Sequence, residues 1–449
     1  MKRAETLLTS REGHLLYDGA DLVELAGRLP TPFFLYSERK IAENAAALRE
    51  AFVRHHADTE VFFASKACSN LWFLRQVGRT GIGAEVNSGG ELWKALRAGF
   101  APEQIVFNGV AKTTDELEQA VRHGIRAVVV DSLGELERLA RAAAVVGRAT
   151  NVLLRVDVHV PTHTRPEMQT AYGGKFGIDI EEAVAAFRRA QELSGIDTRG
   201  LHLHIGSQIT TLEPYTQAVE TALDLLDEVE RACGLRVECL DVGGGFAVPY
   251  KESSLKSDPT DYFCAPYSLD DYAEAVCTAL ELRRPDLKLL IEPGRSLAAT
   301  AAVLVTRVEC VKTKHLRGGD GRRIGEERWL LVDAGHNTML DLLAVSWYFP
   351  VRVASRTGEA ADTPFRLAGP LCDGGDVFLG DEETPWRRFP GATTVGDVLV
   401  LLNTGAYAFE LMTDYNGRPR AGGYAVSGGE VITIRRPETY QDLISHDVE

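Results

Sequence analysis

The sequence predicts an α/β protein, a (β/α)8 barrel of the TIM type followed by an all-β domain, and three features carry that reading. Eight short apolar runs recur between residues 36 and 294, helical patterns lie between them, and after about 296 the period becomes strand-like throughout. Strands that alternate with helices pair in parallel, and eight of them can close into a barrel. An open doubly wound sheet is the competing arrangement, but its nucleotide fingerprint GxGxxG is absent after the first run.

Residues 1–35, with LLYDG and the turn-like LPTPFFLYS, are expected to add a strand to the β domain or to lead into the barrel. The barrel is expected over 36–295. Ser37 can cap a helix that places Ile41, Ala45, Leu48 and Phe52 on one face. The runs follow at 61–64, 81–86, 105–109, 127–132, 151–158, 199–206, 238–245 and 287–292, with amphipathic patterns such as SGGELWKALRAG and TTDELEQAVRHG between them. From 296 to 449, segments such as AAVLVTRVECVKTK, RWLLVDAG, DVLVLLN and EVITIRR read as strands broken by Gly, Pro and charge. The polar stretch 251–263 reads as an insertion loop.

Composition narrows the function classes. Of 449 residues 45% are hydrophobic and 25% charged, ordinary values for a folded soluble protein. Lys and Arg number 49 against 64 Asp and Glu, a net charge of −15 with no basic block, so nucleic acid and anionic membrane are poor partners. The N-terminal MKRAETLLTSREG is too charged for a signal peptide and no uninterrupted apolar run spans a bilayer, so a cytoplasmic protein is expected. The seven cysteines form no CxxC pair and no zinc spacing with histidine, so reduced thiols and no metal site are expected.

Barrel active sites form at the C-terminal strand ends, where this sequence places Ser65, Lys66, Glu85, Asn108, Asp131, Arg155, Asp157, His204, Gly243, Gly244, Gly245, Glu292 and Arg295. Each alone has an ordinary explanation, because a strand-end Lys is commonly solvated and a His after an apolar strand is commonly a core residue. Their convergence on one rim points to chemistry. A Lys after the buried run VFFAS can serve as a Schiff-base amine once desolvation lowers its pKa. Three glycines at strand seven let backbone N–H groups approach a phosphate. A carboxylate at Glu292 can hold a pyridine nitrogen protonated. Together these suggest pyridoxal 5'-phosphate, with His204 stacked on its ring.

The runs ASKA (64–67), GAEVNSGGEL (83–92), HIGSQI (204–209), DVGGGF (241–246), EPGR (292–295), GPLCDGGDV (369–377), GAY (405–407) and YNGRPR (415–420) extend this in series. The chain resembles the fold-type III pyridoxal-phosphate decarboxylases, the diaminopimelate and, more distantly, ornithine decarboxylases, over nearly its whole length. Alanine racemases share the barrel-plus-β architecture, but they pair the pyridine nitrogen with Arg, whereas EPGR supplies Glu292.

The resemblance implies that Lys66 holds the cofactor covalently, that Ser207, Gly243 to Gly245, Gly294 and Arg295 surround its phosphate, and that Tyr407 lies near cofactor or substrate. It implies an amino-acid substrate and a homodimer in which Cys372 and Asp373 enter the partner's site, Cys372 protonating the substrate carbon. Alone, Cys372 would read as a small buried hydrophobe. Departures bear on the substrate. Where the diaminopimelate enzymes read roughly FNDLxRP after DAG, this chain reads HNTMLDLL, so Asp341 stands at the position of an Arg that helps hold a substrate carboxylate. Asp373 replaces a Glu, Glu85 an Asp, and the Glu expected after RPRPA is missing near Gly423. A distal cationic group on the substrate is therefore expected, with diaminopimelate itself as the alternative. A non-catalytic regulatory homologue, the reading of another class, would be expected to lose Lys66 or Cys372, and both are present.

Overall fold

A computed structural model describes residues 7–162, 164–251, 263–381 and 384–448. Most of the expected insertion loop, 252–262, lies outside the described residues. The chain divides into two compact units, one of Ile41–Ala298 and one joining Lys2–Lys40 to Ala299–Glu449.

The first unit is the expected barrel. Strands β1 (Thr59–Ala64), β2 (Gly83–Val86), β3 (Ile105–Phe107), β4 (Ala127–Val130), β5 (Thr150–Asp157), β6 (Ile196–His202), β7 (Cys239–Asp241) and β8 (Lys288–Ile291) pair in parallel in chain order. Leu289–Ile291 then pairs with Thr59–Val61 and closes the ring. Phe62, Val106, Val129, Leu153 and Leu290 from different strands meet in one buried cluster, which fills the space beneath the strand ends. The intervening helices begin and end on local chemistry. Ser88 Oγ accepts the Glu91 N–H and Gly99, at φ 104°, stops Gly89–Ala98, while Thr113 and Glu116 form a capping box for Thr114–His123.

The second unit is built on antiparallel pairing. The long strand Ala302–Arg317 pairs with Val398–Leu402 and with Arg323–Val332. Phe33–Ser37 runs antiparallel to Ala302–Val305 and parallel to Gly422–Ser427. Phe33, Leu35, Val303, Val305, Val400, Leu402 and Tyr424 form its buried core. Among the described residues no helix is long and apolar enough to cross a membrane.

Candidate active site

The barrel strand ends gather most of the expected rim residues. β1 runs into a short turn, Ser65–Ala67, which is tied through Glu91 to the helix Gly89–Ala98 that follows β2. Ser65 Oγ donates to Glu91 Oε2 at 2.8 Å, and the Asn87 N–H donates to the same oxygen at 2.8 Å. Lys66 is half-buried in this turn, and its charge acts on Glu85, His202, His204 and Glu292. Asp131 lies 4.0 Å from the Arg155 guanidinium, whereas Asp157 accepts the His159 and Gly173 N–H groups and so shapes a loop.

Inside the rim lies a buried acid and imidazole cluster. Glu292 Oε2 is 3.2 Å from His202 Nε2 and 3.3 Å from Asn108 Nδ2, while Asn108 Oδ1 accepts from Arg155 at 3.2 Å. Asp241 Oδ1 accepts the Gly243 N–H at 2.9 Å. Burial and the neighbouring Glu292 carboxylate raise Asp241 well above the usual range. Burial also works against an ionised Glu292, but His202 and Lys66 outweigh it and hold that carboxyl below its ordinary value. The proton of this acid pair therefore resides on Asp241, and Glu292 stays anionic. Glu85 is pushed up to about 8 by burial and then by Glu292, with only partial relief from Lys66. The donor atoms of His202, Asp241 and Glu292 lie within 4.8 Å of one another, but the His202 bond and the proton on Asp241 already engage them.

The glycine turn after β7 needs its glycines. Gly243 and Gly245 have φ of 65° and 95°, and a Cβ on Gly244 would stand 2.4 Å from the Glu292 carbonyl oxygen. The Gly244 N–H donates to His204 Nδ1 at 3.2 Å, so that nitrogen carries no proton and the ring is neutral. Burial, with Lys66 and Arg155 adding to it, lowers the pKa of His204 accordingly. Arg295 is buried at the start of a short helix, where its guanidinium donates to Tyr250 Oη at 3.3 Å. Gly294 keeps that helix against β1: a Cβ there would lie 3.2 Å from those of Ala64 and Ala67. Ser207 is half-buried, its N–H donating to Met168 O at 3.0 Å.

These groups fit pyridoxal phosphate. Glu292 Oε1 is a buried acceptor without a hydrogen-bond partner among the described residues, which suits a ring N–H. The glycine turn and Arg295 supply phosphate-binding chemistry, His204 a neutral flat ring, and Lys66 an amine.

The remaining expected residues lie in the second unit. Cys372 is exposed and its N–H donates to Asn416 Oδ1 at 2.7 Å; Asp373 Oδ1 accepts the Gly375 N–H at 2.8 Å. Asp341 is half-buried and opens the short helix Asp341–Ala344, and Tyr407, at φ 61°, precedes the helix Ala408–Leu411. Sequence reasoning overlooked His202 and Asp241. The signal was present, since His202 and His204 are two residues apart in one extended run and so share a face.

The family described as pyridoxal-dependent decarboxylase, pyridoxal binding domain, matches residues 38–299. The diaminopimelate decarboxylase of Aquifex aeolicus is 34% identical, covering 100% of this chain and 99% of its own. That of Pseudomonas aeruginosa is 36% identical, covering 96% of each. Among solved structures, diaminopimelate decarboxylase from M. jannaschii in complex with L-lysine superposes with a TM-score of 0.87 at 31% identity, covering 100% of this chain and 99% of that one.

Proposed function

The chain belongs to the fold-type III pyridoxal-dependent decarboxylases, enzymes that use pyridoxal phosphate to remove the α-carboxylate of an amino acid, and from that premise we propose how its residues divide the work and which substrate it takes. The observation that carries the assignment is Glu292, anionic, buried and with one oxygen unpartnered among the described residues. An anion at the pyridine nitrogen makes the bound cofactor an electron sink that accepts the pair released when carbon dioxide leaves.

The protein's own groups do the rest. Lys66 would hold the cofactor through its amine. His204 would lie against its ring, and the Gly243 to Gly245 turn, Ser207, Gly294 and Arg295 would hold the phosphate. Asn108 and His202 fix the Glu292 carboxylate, and Asp241 carries the proton that would otherwise neutralise it. Cys372 donates the proton that replaces carbon dioxide at the substrate carbon, with Asp373 and Tyr407 on the substrate side. The second unit's residues reach a barrel site in a homodimer with shared sites. Cys233, Cys239, Cys277, Cys310 and Cys372 are free thiols, which suits a reducing compartment such as the cytoplasm.

The substrate carries a second amine at the far end of its side chain. Diaminopimelate and lysine both have that distal ammonium, and these are the molecules in the names of the relatives and the superposed complex. Asp373 beside Cys372, and Asp341 in place of the resembled family's Arg, favour a distal end without a carboxylate. Diaminopimelate remains the second reading, favoured by full-length identities of 34% and 36%. The test is product analysis by mass spectrometry of purified holoenzyme with lysine, ornithine, arginine and meso-diaminopimelate. Cadaverine from lysine as the dominant turnover is expected; a kcat/KM for diaminopimelate at least about tenfold above the others, a difference of about 1.4 kcal/mol, would reverse the substrate assignment.

A further inference from the structure

His336 follows Gly335 in the DAGHN turn, and none of the roles proposed above uses it. Its side chain is 4% exposed. One ring nitrogen, Nε2, lies 3.8 Å from Asp373 Oδ2, and the other, Nδ1, lies 3.7 Å from Asp376 Oδ1. Tyr415 stacks on the ring, with centroids 5.8 Å apart and planes at 21°.

The surroundings are built around the turn that carries Cys372. Asp376 is buried, accepting the His336 N–H on Oδ1 at 2.8 Å and the Leu371 N–H on Oδ2 at 2.9 Å. The backbone closes on it so tightly that a Cβ on Gly369 would stand 2.2 Å from Asp376 Oδ2. From the other side, the Cys372 N–H is held by Asn416, the residue after Tyr415. A Phe could fill the space and stack on Tyr415, but the imidazole also turns a ring nitrogen toward a carboxylate on each side.

We propose that His336 is a positioning residue, its imidazole set between Asp373 and Asp376 so as to fix the Cys372–Asp373 turn in the placement the reaction uses. Burial, the largest influence on Asp376, raises its carboxyl, and Asp373 adds to that rise. His336, facing Asp376 from across the turn, acts against that rise. The inference rests on Cys372 and Asp373 serving the site as proposed above.

The test reads the turn directly, through the rate at which iodoacetamide alkylates Cys372 in holoenzyme, followed by peptide mass spectrometry with the cofactor spectrum as the check on folding. His336→Phe and Asp373→Asn should each raise that rate at least about threefold, and the double variant should exceed neither by much, because both remove one interaction. His336→Gln, which keeps a donor toward Asp373, should return the rate to within about twofold of wild type and recover most of a kcat/KM that His336→Phe lowers by about tenfold. Additive effects on alkylation, or a rate in His336→Phe equal to wild type, would overturn the proposal. If His336→Phe fails to load cofactor, the same cycle is read with His336→Ala, and additivity there overturns the proposal equally. Full activity in Cys372→Ala would instead remove the role given to Cys372 and leave the alkylation result standing.

Discussion

His202 and Glu292 meet at 3.2 Å, Nε2 to Oε2, in a pocket where neither is more than 6% exposed. A carboxylate in such a place would ordinarily take up a proton. Here His202, Lys66 and a protonated Asp241 leave it charged. Glu292→Gln should therefore retain the cofactor but lower kcat by about 10²- to 10³-fold, the usual cost of removing one preorganised electrostatic partner. Cofactor content by absorbance and kcat by carbon dioxide release check this. A variant with near wild-type kcat would remove Glu292 from the electron-sink role.

Lys66 is expected to carry the cofactor covalently. Purified protein should be yellow and should bleach with borohydride, and Lys66→Ala should lose the reducible chromophore together with at least about a thousandfold of activity. Lys112 is a poor substitute: its amine is buried at 2.6 Å from Glu135 Oε1 and also donates to the Gly109 and Val129 carbonyls. A reducible chromophore surviving in Lys66→Ala would overturn the assignment.

Much of this was legible in the sequence because strands and helices leave different periods. The runs VFFA, AVVV and LLI became barrel strands in order, and the groups expected at their ends, Lys66, Glu85, Asn108, His204 and Glu292, stand there. What stayed hidden depends on contacts between distant segments. The turn-like LPTPFFLYS left open a strand or a lead into the barrel, and the pairing of Phe33–Ser37 with Gly422–Ser427 joins opposite ends of the chain, which no local pattern encodes. His202 was overlooked because LHLH offers two equivalent histidines, and only the fold shows which one meets Glu292 and which meets the glycine turn. His336 is a lone histidine in the DAGHN turn, and its acidic neighbours come from a loop well beyond it in sequence.

Glu85 makes the cofactor-free protein sensitive to pH. Its carboxyl, near 4.5 when unfolded, is pushed up to about 8 in the fold, chiefly by burial. The stability tied to the protonated form is complete below the unfolded pKa and is lost as pH rises through the folded one, so it declines between about pH 4.5 and about pH 8. Glu85→Gln cannot ionise. The fall in melting temperature between about pH 5 and about pH 8.5 should be smaller in Glu85→Gln than in wild type by at least about 2 °C. Identical pH profiles would show that Glu85 is ionised throughout that range.

The proposed sharing of sites across a homodimer predicts complementation. Lys66 belongs to the barrel unit and Cys372 to the β unit, so a homodimer that combines them across subunits can rebuild a site from two inactive chains. Mixing Lys66→Ala with Cys372→Ala in equal amounts should recover up to about a quarter of wild-type activity, because about half the dimers are mixed and each has one intact site of two. Absence of recovery after verified subunit exchange would place both residues in the site of one chain.

The resemblance puts Asp341 at the position of an Arg in the diaminopimelate enzymes, which would reverse the sign of the charge there. Two unit charges about 4 Å apart interact by about 4 kcal/mol at an effective dielectric of about 20, so reversing one sign moves the balance by several kcal/mol even after solvent weakens it. A distal carboxylate is disfavoured by that change and a distal ammonium is not. Asp341→Arg should therefore raise kcat/KM for meso-diaminopimelate relative to lysine by at least about tenfold, with the change in KM rather than kcat, since the distal group is remote from the bond that breaks. Asp341→Asn should shift the ratio in the same direction by less. Equal ratios in wild type and Asp341→Arg would show that this side chain does not meet the substrate, and the preference would then have to come from Asp373.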